Sequence, residues 1–110
     1  MKQAMRKPTS VGDVLQYEFL EPLNLKVNDL AEMLNVHRNT VSALVNNNRK
    51  LTTEMAYRLA AVFETSVDLW LNLQRHLDLW EVENDARTQE ELSRVTPLSV
   101  FLAQRSAAVA

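Results

Sequence analysis

With 110 residues, 46% hydrophobic side chains and a net charge of −2, the chain is one domain, or one domain with a tail, and can bury a core. It has no cysteine, which excludes a disulfide framework and any thiolate metal site and fits a reducing compartment. It also lacks the run of about 18 apolar residues that a membrane span requires. The N-terminus, MKQAMRKPTS, is basic but has no apolar stretch behind it, so no signal peptide and a cytoplasmic location are expected.

In chain order, residues 1–8 read as a basic arm carrying Arg6 and Lys7. A first helix is expected from about Val11 to Leu20, with Ser10 as N-cap, Asp13 in the first turn, Val14, Leu15 and Phe19 on the inner face, and Pro22 closing it. Further helices are expected over about Val27 to Leu34 and about Arg38 to Asn46. A fourth follows Thr52 and buries Met55, Ala56, Leu59, Val62 and Phe63. A long fifth helix starts after Ser66 and runs to about Asp85, with Trp70, Leu73, Leu77 and Trp80 on one stripe. Thr88–Glu91 has the form of a capping box. Thr96-Pro97 places a cap before a proline at the first helical position, with Leu98, Phe101 and Leu102 as a small apolar face beyond it. Residues 106–110 are expected to fray. No run alternates as a strand would, so the fold class is all-α: a five-helix domain over residues 9–86 and a helical extension over 87–110.

The most informative stretch is Asp29 to Asn47, DLAEMLNVHRNTVSALVNN. Leu30, Ala31 and Leu34 make one buried stripe, and Val41, Leu44 and Val45 make another. Val36 lies between them and is expected to plug the angle of a tight turn. Such a turn needs a residue at positive φ, and Asn35 stands where glycine is usual; Asn46-Asn47-Asn48 does the same after the second helix. The second helix opens on the polar cluster His37-Arg38-Asn39-Thr40, which this arrangement leaves on the outside. Two short amphipathic helices also occur in all-helical proteins that bind no DNA; the polar opening and the basic Arg49-Lys50 downstream favour a helix that reads DNA.

Charge is unevenly distributed. Residues 1–50 hold seven Lys or Arg against five Asp or Glu, and residues 51–110 hold five against nine. The second half is either a solvated acidic surface or a surface for a basic partner. Catalysis finds little support: there are two histidines, His37 and His76, no metal-ligand spacing, and a single glycine, Gly12, so there is no phosphate-cradling loop. No metal and no cofactor are expected. Glu81, Glu83 and Asp85 alternate along a helix and read as a solvated face.

Residue chemistry assigns the rest. Arg pairs bidentately with a guanine edge and Asn with adenine, so Arg38 and Asn39 on the first turn are candidate base readers. Thr40, Ser42 and Ala43 follow, the last because it allows close approach. Arg49, Lys50 and Lys26 are candidate phosphate contacts, and His37 either touches phosphate or caps the helix. One such helix gives weak specificity, so a homodimer on an inverted repeat of double-stranded DNA is expected. Trp70, Leu73, Leu77 and Trp80 are the candidate dimer residues, unless the C-terminal helix folds back over them.

With these residues in place, the chain resembles the HigA/VapA (VapI) group of antitoxins, which carry a Cro/C1-type (XRE, lambda-repressor-like) helix-turn-helix. The resemblance spans about Pro8 to Trp80. It rests on Val11-Gly12-Asp13, Glu18-Phe19-Leu20-Glu21-Pro22-Leu23, Leu30-Ala31, Asn39-Thr40-Val41-Ser42, Leu51-Thr52, Arg58-Leu59-Ala60, Trp70-Leu71-Asn72-Leu73-Gln74 and Asp78-Leu79-Trp80. It implies a homodimeric repressor of its own promoter. For many members it also implies a RelE-like ribonuclease toxin (HigB-like) as partner, so an antidote whose DNA binding is secondary is the alternative. The chain departs from the pattern where Asn35 and Asn47 replace the usual glycines, and beyond Trp80, where the family varies.

Overall fold

The computed structural model describes residues 6–109, with side chains as far as residue 107. The elements among these residues are all helical: α1 (Val11–Val14), a π-helical segment (Leu15–Leu20) that continues it, α2 (Val27–Leu34), α3 (Arg38–Val45), α4 (Thr53–Phe63), α5 (Val67–Glu83), α6 (Ala86–Leu92) and α7 (Leu98–Val109). None of these helices is long and apolar enough to cross a membrane. The chain divides into two compact units, residues 1–80 and 81–110, so the division falls near the end of α5 and earlier than the 86/87 boundary read from the sequence.

The first unit is built on five side chains, one from each of its helical elements. Leu15, Leu30, Val41, Leu59 and Trp70 are all fully enclosed. Each contributes about 1.5–3 kcal/mol of transfer free energy as it leaves water, and together they tie the long α5 to four elements too short to persist alone. Phe19 and Phe63 stack at a centroid separation of 4.1 Å, and each lies 5.9 Å from the Trp70 ring. The Trp70 indole Nε1 donates to Thr65 Oγ1 at 2.7 Å, which satisfies its one polar atom inside the core.

Local chemistry explains the element ends. Ser10, Thr52 and Ser66 accept from the amides of Asp13, Met55 and Leu69 at 3.0–3.1 Å, as side-chain oxygens at helix N-termini do. At the α2 N-terminus the Lys26 amide donates to Asp29 Oδ2 at 2.8 Å. The first helix changes character at Leu15, where its bonds lengthen to i→i−5, as in Glu21 N to Gln16 O at 3.0 Å. Four non-glycine residues among those described have positive φ: Asn24, Asn35, Asn47 and Glu64. Each closes a helical segment, and in each case the following amide reaches back five residues to a carbonyl: Leu25 to Leu20, Val36 to Ala31, Asn48 to Ala43 and Thr65 to Ala60. This is the Schellman closure, made here without glycine.

Gly12 is where α1 meets α3. A Cβ at residue 12 would lie 2.5 Å from the Leu44 carbonyl oxygen, 2.7 Å from that of Val45 and 2.5 Å from Asn47 Oδ1. The N-terminal end of α1 therefore rests directly on the C-terminal carbonyls of α3, opposite poles of two helices facing each other. Asn47 Nδ2 donates to Asp13 Oδ1 at 3.2 Å beside this contact.

Several expectations are corrected. Trp70, expected on a dimer face, is wholly inside its own protomer, because Phe19 and Phe63 complete the stripe from within. Leu73 also packs on this core. The apolar residues that α5 exposes are Leu69, Leu79 and Val82. Of the basic arm, residues 1–5 lie outside the described residues; the Lys7 ammonium stands 5.9 Å from the centroid of the Trp80 ring, so it contacts α5. In the second unit, α6 is capped by Asp85, whose carboxylate accepts from the Thr88 amide at 3.1 Å and from the Thr88 hydroxyl; Thr88 is thus inside the helix and is not its cap. Pro97 stands just before α7, its carbonyl accepting from the Phe101 amide at 3.0 Å. The α7 helix continues to Val109, so residues 106–109 are helical where fraying was expected; residue 110 lies outside the described residues.

Two substitutions test this account. Gly12→Ala forces a methyl into backbone carbonyls that cannot swing away, and is expected to lower unfolding free energy by about 1–3 kcal/mol in urea titrations. Glu64→Gly relieves an exposed left-handed residue with a side chain; after the entropy that glycine adds to the unfolded chain, a net gain of about 0.5–1 kcal/mol is expected in the same measurement.

Candidate nucleic-acid interface

The α2–turn–α3 unit is held as one piece. Asn35, at φ 57° and ψ 49°, turns the chain, and Val36 packs on the core at the angle, as the sequence predicts. The turn is also clasped from outside. Arg58 of α4 donates from Nη1 to the Leu34 carbonyl at 2.8 Å and to the Asn35 carbonyl at 3.4 Å, while Nε and Nη2 donate to Glu54 Oε2 at 3.2 and 2.8 Å. The guanidinium satisfies carbonyls at the α2 C-terminus, where a cation is also favoured by the helix dipole. Sequence reasoning missed this role; the signal was an arginine and a glutamate four apart at the start of α4.

His37 is the N-cap of α3. Its Nδ1 accepts from the Asn39 amide at 3.1 Å, and its carbonyl accepts from Thr40 at 3.0 Å. His37 thus caps the helix through Nδ1, and the residue stays exposed at the helix mouth. Arg38 and Asn39 are exposed on the first turn, while Thr40, Ser42 and Ala43 are half-buried. The buried residues of α3 are Val41, Leu44 and Val45, so its opposite edge and its N-terminal turn face outward. The Ser42 hydroxyl accepts from Asn46 Nδ2 at 3.3 Å.

The basic residues assigned to phosphate are in different states. Lys26 and Arg49 are exposed. Lys50 is bound to α5: its Nζ lies 2.9 Å from Asp78 Oδ1. Gln74, one turn earlier on α5, donates from Nε2 to the same carboxylate at 2.9 Å and accepts from the Leu51 amide at 3.0 Å. Sequence reasoning singled out neither Gln74 nor Asp78 as a contact, because their partners are more than 20 residues away. Partial burial works to raise the Asp78 carboxyl above its ordinary value of 3.8, but the hydrogen bonds from Lys50 and Gln74 and the Lys50 charge together outweigh it and hold the group lower.

No group of three or more His, Cys, Asp or Glu among the described residues could hold a metal ion. A polar cleft beside the Gly12 contact is lined by Asp13, Gln16, Tyr17, Val45, Asn46 and Asn47 and offers amides, a phenol and one carboxylate already bonded to Asn47.

A tight turn between two helices, with a capped, outward-facing second helix packed into a five-helix core, defines a helix-turn-helix protein. The helix-turn-helix family model matches residues 17–70. The chain is 70% identical over 105 residues, covering 96% of this chain and 93% of the relative, to the HTH-type transcriptional regulator YbaQ of Escherichia coli. It is 46% identical over 104 residues, covering 94% of this chain and 96% of the relative, to antitoxin HigA-1 of Vibrio cholerae. The solved structure of Pseudomonas aeruginosa antitoxin HigA with the higBA promoter superposes with a TM-score of 0.74 at 32% identity, over 83% of this chain and 98% of that one. The chain belongs to this family of helix-turn-helix DNA-binding regulators, which includes the HigA antitoxins.

Asp78 sets a pH signature. A carboxyl whose folded value is depressed contributes stability that is present above its unfolded value and lost as pH falls through the folded one. Thermal melts are therefore expected to show wild type and Asp78→Asn converging as pH drops below about 4, with the wild type losing more on acidification.

Proposed function

We propose that the protein is a sequence-specific transcriptional regulator that represses its own promoter as a homodimer, with α3 lying in the major groove. The observation that carries this is the exposed N-terminal turn of α3, where Arg38 and Asn39 project from a helix whose position is locked at both ends. Arg38 is assigned to a guanine edge and Asn39 to an adenine edge, the two side chains whose geometry matches those bases bidentately. Thr40, Ser42 and Ala43 allow the helix to approach closely. Lys26, Arg49, Lys50 and His37 are assigned to phosphate, where they fix register. The P. aeruginosa HigA solved with the higBA promoter supports the same use of this fold.

One reading helix carries too few contacts for strong specificity, and two on a two-fold axis match an inverted repeat about one helical turn apart. Leu77 and Trp80, half-buried on α5, and the exposed Leu69 and Leu79 supply the dimer contact.

A second activity has its own support. The unit of residues 81–110 holds five Asp or Glu against three Arg, and exposes Leu92, Val95, Leu98, Phe101 and Leu102. An acidic surface interspersed with apolar side chains suits a basic protein partner. Together with the likeness to V. cholerae HigA-1, this supports an antidote that binds a HigB-like, RelE-like ribonuclease toxin. Its test is co-purification with the product of the neighbouring gene and rescue of growth when that gene is expressed; neither result would leave the regulator alone.

For DNA reading, Arg38→Ala is expected to weaken binding to the promoter duplex by about 1–3 kcal/mol and to relax preference at one base pair per half-site. Gel-shift titration with a set of single-base operator variants measures both. Unchanged affinity and unchanged preference would remove Arg38 from the reading surface.

A further inference from the structure

The loop that follows the reading helix ends in a contact that DNA binding by itself does not call for. Lys50, a candidate phosphate ligand, points its ammonium at Asp78 of α5 at 2.9 Å. The next residue, Leu51, is buried, and its amide is held by Gln74 Oε1 at 3.0 Å. Gln74 Nε2 in turn donates to Asp78 Oδ1 at 2.9 Å, so one glutamine ties the loop backbone and the carboxylate together. The arrangement separates two tasks. Gln74 fixes the path of the loop through a part-buried backbone hydrogen bond. Asp78 occupies the charge of an exposed side chain, with Lys50 67% and Asp78 45% accessible.

We infer that Asp78 is a positioning residue that holds Lys50 in reserve and so sets how strongly the protein binds DNA. An ion pair this exposed is weak, and a phosphate backbone can displace it. Each such displacement subtracts the strength of the pair from the strength of the phosphate contact. The protein thus binds every duplex somewhat less tightly than its basic residues alone would dictate, while base reading by Arg38 and Asn39 is untouched. The ratio of specific to non-specific affinity is left unchanged, because the phosphate contact that is trimmed is common to both. Since Asp78 sits on α5, the helix that also carries the candidate dimer residues, a shift of α5 changes the charge that the loop presents. The inference rests on the reading of Lys50 as a phosphate contact.

The test uses the full-length chain and two duplexes of equal length, one from its own promoter and one of random sequence, titrated over a range of salt concentrations. The variant is Asp78→Asn, which keeps an oxygen to accept from Gln74 Nε2 and so leaves the Leu51 bond in place; a thermal melt near neutral pH checks that the fold is retained. Binding to both duplexes is expected to tighten about two- to five-fold at low ionic strength. The dependence of log K on log salt is expected to steepen by up to about one unit, the share of one phosphate contact. Both changes are expected to vanish in the double variant Lys50→Ala/Asp78→Asn. A gain that persists in the double variant overturns the inference, since it would come from deleting a negative charge near DNA and not from releasing Lys50. Unchanged or weaker binding by a folded Asp78→Asn also overturns it. If Lys50→Ala changes nothing in either background while Arg38→Ala still weakens promoter binding, the phosphate assignment has failed and the DNA-reading assignment stands.

Discussion

The reading helix is held in place by the contact between Gly12 and the end of α3. Leu44 and Val45 present their carbonyl oxygens to the first turn of α1 so closely that no side chain fits between. A helix as short as Arg38–Val45 has little stability of its own, and its direction comes from what touches it. At one end that is Gly12, together with the Asp13–Asn47 bond. At the other it is the turn at Asn35, gripped by Arg58. With both ends fixed and Val41, Leu44 and Val45 sunk into the core, rotation about the helix axis is blocked. Arg38 and Asn39 then face outward as a consequence of packing.

The closures between helices follow from the same need for rigidity. Asparagine, and once glutamate, occupies the left-handed position that glycine usually fills. A side chain there costs some native-state energy but leaves the unfolded chain with less freedom than glycine would, so the net penalty is small for asparagine. Asn47 shows a further gain, since its side-chain amide reaches Asp13 and ties the closure to α1, which a glycine cannot do. The π-helical segment from Leu15 to Leu20 carries both Leu15 and Phe19, whose side chains join the buried cluster and the aromatic group around Trp70.

The two units differ in kind. The first has its own buried core, with Leu15, Leu30, Val41, Leu59 and Trp70 fully enclosed. In the second, α6 is braced by Asp85 and by the exposed pairs Arg87–Glu91 and Arg94–Glu90, which contribute little each. Its larger apolar side chains from Leu92 to Leu102 remain exposed. A helical segment with uncovered apolar residues can offer them to a partner's surface, which is the ground for the antidote activity proposed above.

Much of this was legible along the chain because its causes are local. The all-α class, the limits of α2, the caps at Ser10 and Thr52 and the positive φ of Asn35 all depend on side chains acting within a few residues of themselves. Periodicity also marked the Trp70 stripe as apolar, yet periodicity is silent about what an apolar stripe faces: Phe19 and Phe63, some 50 and 7 residues away, took Trp70 into the protomer's own core. The same holds for Arg58 on the α2 carbonyls, for Gln74 and Asp78 on the loop at Lys50, and for Gly12 against α3. Each joins groups more than 20 residues apart, and such pairs are set by how helices cross in space. The order of residues by itself determined which stretches are helical, the ends that local caps set, and the polar chemistry at the start of α3. Which faces meet, and therefore which charges are free to meet DNA, was decided only when five helices competed for one interior.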